Sequence, residues 1–392
     1  MDGDRLRVLR LSRDMSLDDL ADAAGAIVSK QMLSRYERGL SEPTPRVLTA
    51  LAGALQIPVS RLLEAPKVIV RPVAYRKRAS LSKGDQSRIT SLLEINLQQR
   101  VRIQEANGFK PPSIPILSMK ADSVEAAEAV ADRIRKDWDL GEAPLMSLVD
   151  ELEGRLVHVL EVDAPDTFDG LSLVAYDEKG APIAVAAAIR RGVPGDRQRL
   201  SLAHELGHIV LDLGSTVDEE KAAYRFAGAL LAPAVALRRE VGERRSAIDL
   251  NELGMLKQRY RMSLQALVYR LKDIGIITEN HAKEWFMRIR ARGWAKVEPW
   301  EIVHEETTWL KRNVHRAVAE GVLRRDEAKE MLGEGASFSS NNSSERLDLM
   351  QMTRDERRRL LEQSVEESLS DYQLDSEWVD SFNEEGSTID AD

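Results

Sequence analysis

The 392-residue chain contains no cysteine. That excludes disulfide cross-links and every thiolate metal site, and it suits a reducing compartment. Histidine is scarce, with six in the whole chain. No apolar run approaches the roughly 20 residues that span a bilayer; the most apolar stretch, residues 181–189, is far too short. The N-terminus, Met1-Asp-Gly-Asp-Arg5, lacks the basic-then-apolar pattern of a secretion signal. The expectation from these absences is a cytoplasmic protein with no membrane partner.

Charge is present but unevenly spread. The net charge is −9, yet residues 334–392 alone carry five Arg against sixteen acidic residues, and residues 67–110 carry ten Lys/Arg against three acidic ones. A basic stretch and an acidic tail on one chain suggest a regulator with more than one partner. The length, with 43% hydrophobic residues, allows two or three domains with real cores.

The chemistry is concentrated in Ala203-His204-Glu205-Leu206-Gly207-His208, an H-E-x-x-H sequence inside an apolar helical pattern. At this histidine density, chance would produce it about once in a hundred such chains. Residues four apart lie about 40° from each other around a helix, so His204 and His208 share a face and reach one ion. Glu205 lies about 100° away, placed to hydrogen-bond a water beside the ion. A zinc hydrolase needs that layout, with one position open and a base next to it. Zinc also needs a third protein donor. Gly214-Ser215 allows a reversal, and a second helix beginning near Asp218 brings back Glu220 or Glu219. Gly207 costs a helix about 1 kcal/mol, which points to close approach of a strand or substrate. His158, His281, His304 and His315 are scattered and are taken as structural.

Residues 1–66 predict five short helices. Ser16 and Ser29 serve as caps, Thr44-Pro45 starts a fourth helix, and Pro58-Val-Ser60 starts a fifth. The runs Ser16-Leu-Asp-Asp-Leu-Ala-Asp-Ala-Ala and Val28-Ser-Lys-Gln-Met-Leu-Ser-Arg-Tyr-Glu-Arg-Gly39 resemble the phage-repressor-type (XRE) helix-turn-helix family. The resemblance implies that the third helix enters the major groove of a double-stranded DNA operator. Ser29, Lys30, Gln31, Ser34 and Arg35 would then face the DNA. Gln can read adenine, Arg or Lys guanine, and hydroxyls phosphate. Three features depart from the pattern. The turn at 25–28 is about two residues longer than usual, Leu17 stands where the family often has Gln, and residues 1–66 carry nine basic and nine acidic residues.

Residues 67–119 are expected to be a basic helical connector, with a short strand near 68–75, the cluster Arg76-Lys-Arg78 and a helix over 86–106. Residues 120–333 predict helices over 122–135 and 144–154, strands over 155–162, 171–176 and 182–189, then the two metal-site helices. Gly195-Asp-Arg-Gln-Arg-Leu-Ser-Leu-Ala-His-Glu-Leu-Gly-His208, followed by Glu220-x-x-Ala-Tyr-x-Phe-Ala-x-x-Leu-Leu-Ala-Pro233, resembles the ImmA/IrrE family of zinc metallo-endopeptidases. Phe168-Asp-Gly-Leu-Ser172 is similar to that family's substrate-side strand. The resemblance implies Zn2+ held by His204, His208 and Glu220, with Glu205 as general base. It implies a protein substrate, typically a phage-repressor-type regulator. Tyr224 stands where the family usually has Asn. It could orient a ligand, donate its hydroxyl to a developing oxyanion, or simply pack.

Helices are further expected over 253–275, 280–293 and 309–332. Residues 334–392 predict a flexible linker and an acidic interaction tail, with an amphipathic helix from 352 and Trp378, Val379 and Phe382 beyond it. The tail loosely resembles the toxin-wrapping tails of small bacterial antitoxins. The expected fold is therefore mainly α with a small β-sheet (α+β). The expected function is a DNA-binding regulator, a homodimer as repressor heads of this kind usually are, with a zinc endopeptidase body. The alternative is an antitoxin and autorepressor that neutralises a toxin partner through its tail, the zinc site being structural or vestigial.

Overall fold

Helix starts in the head are set by small capping residues. The computed structural model describes residues 1–63, 68–73, 81–114 and 116–332. In it, Asp2, Ser16, Ser29 and Thr44 precede α1 (Gly3–Leu11), α2 (Leu17–Ala23), α3 (Lys30–Glu37) and α4 (Pro45–Ala54). Ser16 and Asp19 cap each other reciprocally at α2, and Pro45 takes the first position of α4, where a missing N–H costs nothing. α5 (Val59–Leu63) follows. Leu6, Leu20, Leu33, Leu51, Leu55 and Leu62 form one buried core. Arg10 ties α1 to α3 by a bidentate pair with Glu37, at 2.6 and 2.9 Å.

The body follows in the order β1 (Ile69–Pro72), α6 (Lys83–Ala106), β2 (Met119–Ala121), α7 (Ala126–Asp137), α8 (Leu148–Glu153), β3 (Val157–Val162), β4 (Gly170–Tyr176) and β5 (Pro182–Arg190). Then come α9 (Gly195–Val210), β6 (Leu211–Leu213), α10 (Glu219–Leu231), α11 (Ala234–Val241), α12 (Leu250–Tyr260), α13 (Leu264–Asp273), α14 (Glu279–Ala291) and α15 (Trp309–Ala319). Residues 1–324 form one compact unit, and a second unit begins at Arg325 with α16 (Arg325–Leu332).

The main sheet has the order β1-β4-β5-β3, with β3 parallel to β5 and both β1 and β4 antiparallel to their neighbours. α6 covers one face through Ile89, Leu93, Leu97 and Val101. The other face packs on α9, where Leu202, Leu206, Ile209 and Val210 join Val159, Val185 and Ala187 in the largest core. β2 and β6 make a separate parallel pair.

The fold is mainly α with a small mixed sheet, as its sequence pattern implied. Three details differ from the sequence expectation. The segment expected to connect head and body supplies β1, an edge strand of the sheet, and α6, which covers it. The stretch expected as one helix over 309–332 is two, α15 and α16, broken at Gly321, whose φ of +72° lies in the left-handed region. α11 and the three-residue strands β2 and β6 had not been expected; strands that short show no period. The basic triplet at 76–78 and the acidic tail at 334–392 lie outside the described residues.

Candidate metal centre

α9 is anchored at both ends before its histidines are considered. At its start, Gly195 donates its N–H to the Ile302 carbonyl at 3.0 Å. Asp196 pairs with buried Lys257, which also meets Glu298 at 2.9 Å, and buried Arg199 pairs with Glu305. Glu305 further accepts the N–H of Val149 at 2.8 Å. At its end, α10 returns across α9. A Cβ on Gly207 would stand 3.2 Å from Ala223 Cα and 3.2 Å from the Phe226 ring. The close neighbour of Gly207 is thus the α10 helix, and the expectation of a strand or substrate there is corrected. That contact brings the first turn of α10, capped by Asp218, over the histidines of α9.

His204, Glu205 and His208 are all buried. His204 Nε2 and His208 Nε2 are 3.0 Å apart. Glu220 reaches both, with carboxylate oxygens 3.3 Å from His204 Nε2 and 3.6 Å from His208 Nε2. One donor atom from each of the three residues falls within 4.8 Å of the others. Two imidazole nitrogens and a carboxylate oxygen aimed at one point form the donor set of a hydrolytic zinc site, so these residues fit that ion. Burial, reinforced by the His204 ring and opposed by nearby carboxylates, holds the His208 pKa below its usual value. The imidazole is therefore neutral near pH 7, which is the form that binds metal. Glu219 Oε1 lies 3.2 Å from His208 Nδ1, on the far side of that ring, at ion-pair distance but without hydrogen-bond alignment.

Glu205 extends to β4. Ser172 Oγ stands 2.6 Å from its carboxylate Oε2 and 2.8 Å from its backbone carbonyl. The hydroxyl has one proton to give to these two acceptors. Gly170, two residues earlier on the same face of β4, leaves room for that carboxylate, since a Cβ there would stand 2.5 Å from Glu205 Oε1. The Gly-x-Ser alternation on a strand was the sequence signal for this support, but its partner could not be read locally. The Tyr224 ring packs on the His204 ring with centroids 4.2 Å apart and tilted by 45°. It is half-exposed, and with Leu200, Lys221, Tyr269, Lys272 and Trp294 it lines a cleft of about 1010 Å³.

None of the other histidines joins the cluster. His158 is buried against Trp309 and bonded to Gln104, His281 accepts from Ile248 N–H and Trp285 Nε1–H, and His304 pairs with Glu161. In the head, Leu33 and Tyr36 of α3 face the core while Ser29, Lys30, Gln31 and Arg35 are exposed and Ser34 is half-buried. The Ser29 hydroxyl caps α3 by accepting Met32 N–H at 3.4 Å, and Lys30 pairs with Asp18 at 2.5 Å.

The fold and site define a helix-turn-helix head on a body with the metal-donor geometry of a hydrolase. Comparison with known proteins agrees with both halves. The helix-turn-helix family matches residues 6–62, and the IrrE N-terminal-like domain, a peptidase family, matches residues 188–272. The chain is 43% identical over 61 residues to the transcriptional regulator ClgR of Mycobacterium tuberculosis, covering 16% of this chain and 53% of that protein. It is 34% identical over 113 residues to the HTH-type transcriptional regulator SutR of Escherichia coli, covering 28% of this chain and 59% of that protein. The chain thus spans somewhat over half the length of the curated relatives it matches. No helix among the described residues is long and apolar enough to cross a membrane.

Proposed function

We propose that the protein is a cytoplasmic DNA-binding regulator whose body is a zinc-dependent endopeptidase, with a helix-turn-helix repressor as its substrate class. The observation that carries this reading is the convergence of His204, His208 and Glu220, with Glu205 held beside them by Ser172. His204, His208 and Glu220 would hold Zn2+, which when bound supplies Lewis acidity and lowers the pKa of water at that point. Glu205 takes the proton from water as its oxygen joins the peptide carbonyl carbon. It then delivers that proton to the nitrogen as the C–N bond breaks. Ser172 holds the Glu205 carboxylate in place for both transfers. Tyr224, half-exposed over His204, offers its hydroxyl to the carbonyl oxygen as charge builds there.

In the head, α3 would enter the major groove of an operator with Ser29, Lys30, Gln31, Ser34 and Arg35 toward the DNA, two heads acting as a homodimer. Purified protein with zinc should cleave a repressor of this type, and Glu205→Gln should abolish the cleavage. Intact substrates throughout a panel of such repressors, with this chain itself also uncut, would sink the reading. The sixteen acidic residues of 334–392 support a second reading, a repressor that neutralises a toxin through its tail. In that case rescue from the toxin would survive Glu205→Gln and fail on deletion of 334–392.

A further inference from the structure

The start of α9 carries this inference, which rests on the metal-centre reading above. α9 brings His204, Glu205 and His208 to the site, yet its first turn has no side-chain cap, since Pro194 stands at the N-cap. The grip comes from outside the helix. Residues 292–308, between α14 and α15, form a strap without helix or strand. The Ile302 carbonyl of the strap accepts the Gly195 N–H, and the approach is so close that a Cβ on Gly195 would collide with the Val303 carbonyl oxygen. The buried Gln198 side chain donates to the Glu305 carbonyl at 2.8 Å and accepts the Glu305 N–H at 2.7 Å. Arg199 pairs with the Glu305 carboxylate, and Lys257 links Asp196 to Glu298.

His304 sits in the middle of that grip. Its Nδ1 lies 2.9 Å from the carbonyl oxygen of Val193, just before α9, and its Nε2 lies 2.5 Å from Glu161 Oε1 on β3. Both partners are acceptors, and a neutral imidazole has one N–H to give. Only the imidazolium makes both bonds. A backbone carbonyl has no proton to return, so Nδ1 keeps its hydrogen and the Nε2 proton is the one that leaves. The Nε2 lone pair would then face a carboxylate oxygen. Gln198 Nε2 is 3.0 Å from the same ring nitrogen and can donate its second hydrogen there. The neutral ring therefore gives up β3 for α9. The charges facing His304 are Glu161 of β3 and Glu306 of the strap; Glu305 is turned to Arg199, and Arg191 donates to the Glu161 backbone carbonyl at 3.3 Å. Burial lowers the His304 pKa, but the bonds to Glu161 and Val193 and the two glutamate charges outweigh it and raise the pKa above 6.5.

We propose that His304 is a positioning residue for the metal centre: as the imidazolium it ties the start of α9 to the sheet, and its neutralisation lets the helix that carries the histidine donors shift against the strand that supports Glu205. The centre then holds its ion more tightly below the His304 pKa than the same centre would without that tie, and loses the advantage above it. The bonds from Gly195 to Ile302 and from Gln198 to Glu305 involve no titrating group and persist in both forms. The change is accordingly a loosening of α9 and not its release.

Zinc affinity is measured in the full chain by competition with a chelator, at about pH 6 and about pH 9, for the parent, His304→Arg and His304→Gln. Arginine stays charged at both values and keeps a donor for Glu161, whereas glutamine is neutral at both. Protonation of the metal-binding imidazoles also changes affinity with pH, but it is common to all three proteins and cancels when they are compared at one pH. The parent should match His304→Arg at the lower pH and His304→Gln at the higher, with the glutamine variant several-fold weaker than the arginine variant at both. A histidine with only a structural role would leave the parent beside the same variant at both values; that result, or three equal affinities, overturns the proposal and leaves the metal-centre reading intact. Glu161→Gln gives a second measurement that does not depend on how arginine fits. It should fall below the parent at the lower pH and match it at the higher, and a gap of constant size overturns the proposal. Zinc that binds none of these proteins sinks the metal-centre reading together with this one.

Discussion

Two adjacent acids open α10, and the geometry gives them different tasks. Glu220 faces Nε2 of both histidines, at 3.3 and 3.6 Å, while Glu219 faces Nδ1 of His208 at 3.2 Å. An imidazole that binds metal through Nε2 carries its proton on Nδ1, where a carboxylate sets the tautomer and the ring orientation. Glu219→Gln keeps the shape but loses the charge; Glu219 is not hydrogen-bonded to Nδ1 here, so the loss of about 10–100-fold in metal binding that follows removal of a bonded orienting partner sets the upper bound. That is roughly 1.4–2.8 kcal/mol. Glu220→Gln removes one of three protein donors. Structural zinc sites bind with on the order of 10–16 kcal/mol over four donors, so one donor is worth roughly 2.5–4 kcal/mol, a loss of about 70- to 900-fold. Zinc affinity measured by competition with a chromophoric chelator should therefore rank the wild type above Glu219→Gln and Glu219→Gln above Glu220→Gln. The assay needs no substrate. A larger loss for Glu219→Gln would mean that Glu219 is the ligand, and two unchanged affinities would remove both acids from any metal site.

A methyl group at Gly170 would meet Glu205 Oε1 at 2.5 Å and the Ala188 carbonyl oxygen at 2.9 Å. The backbone cannot yield, so Gly170→Ala should displace Glu205 and lower cleavage about 10²–10⁴-fold while zinc content stays the same; undiminished turnover would deny Glu205 its role as base. At His304, burial disfavours the charge, but hydrogen bonds to Glu161 and to the Val193 carbonyl outweigh it and raise the pKa above 6.5. The stability it contributes is complete below that value and is lost as pH rises through the folded pKa, so the melting gap between wild type and His304→Gln should be wider at about pH 5.5 than at about pH 9. In the head, Gln31→Ala and Arg35→Ala should each cost about 1–3 kcal/mol of specific operator binding in a band-shift assay. Neither should change zinc content.

How much of this was legible follows from the range of each interaction. Three of the head helices show through local start signals, because Ser16 and Ser29 cap within three residues of themselves and Pro45 takes the first position of α4. The pairing of His204 with His208 shows for the same reason, as one helical turn fixes it. The choice between Glu219 and Glu220 depends on how α10 lies across α9, and that depends on the contact of Gly207 with Ala223 and Phe226. No local pattern carries such a contact. β1 is the clearest case. The strand itself was legible near 68–75, but its pairing with β4 joins residues about a hundred apart. Ser172 likewise meets Glu205 across 33 residues, so a polar residue on a buried strand had no visible partner in the sequence.

α6 makes head and body mechanically dependent. Its Leu93 and Leu97 are buried against the sheet, while Ile95, between them, packs against the head core. Arg5 of α1 donates to Gln98 Oε1 at 2.9 Å on the same side as Ile95. The head therefore rests on a helix whose other face covers the sheet that supports Glu205, and is not carried on a free tether. The chain between that head and α6 is the chain that forms β1. A change that drew β1 off β4 would act on the one strand standing between the operator-binding candidate and the helix it rests on. Domain order along the chain thus has a physical consequence, because the segment needed to join the two halves also pairs with β4, the strand that carries Ser172 to Glu205.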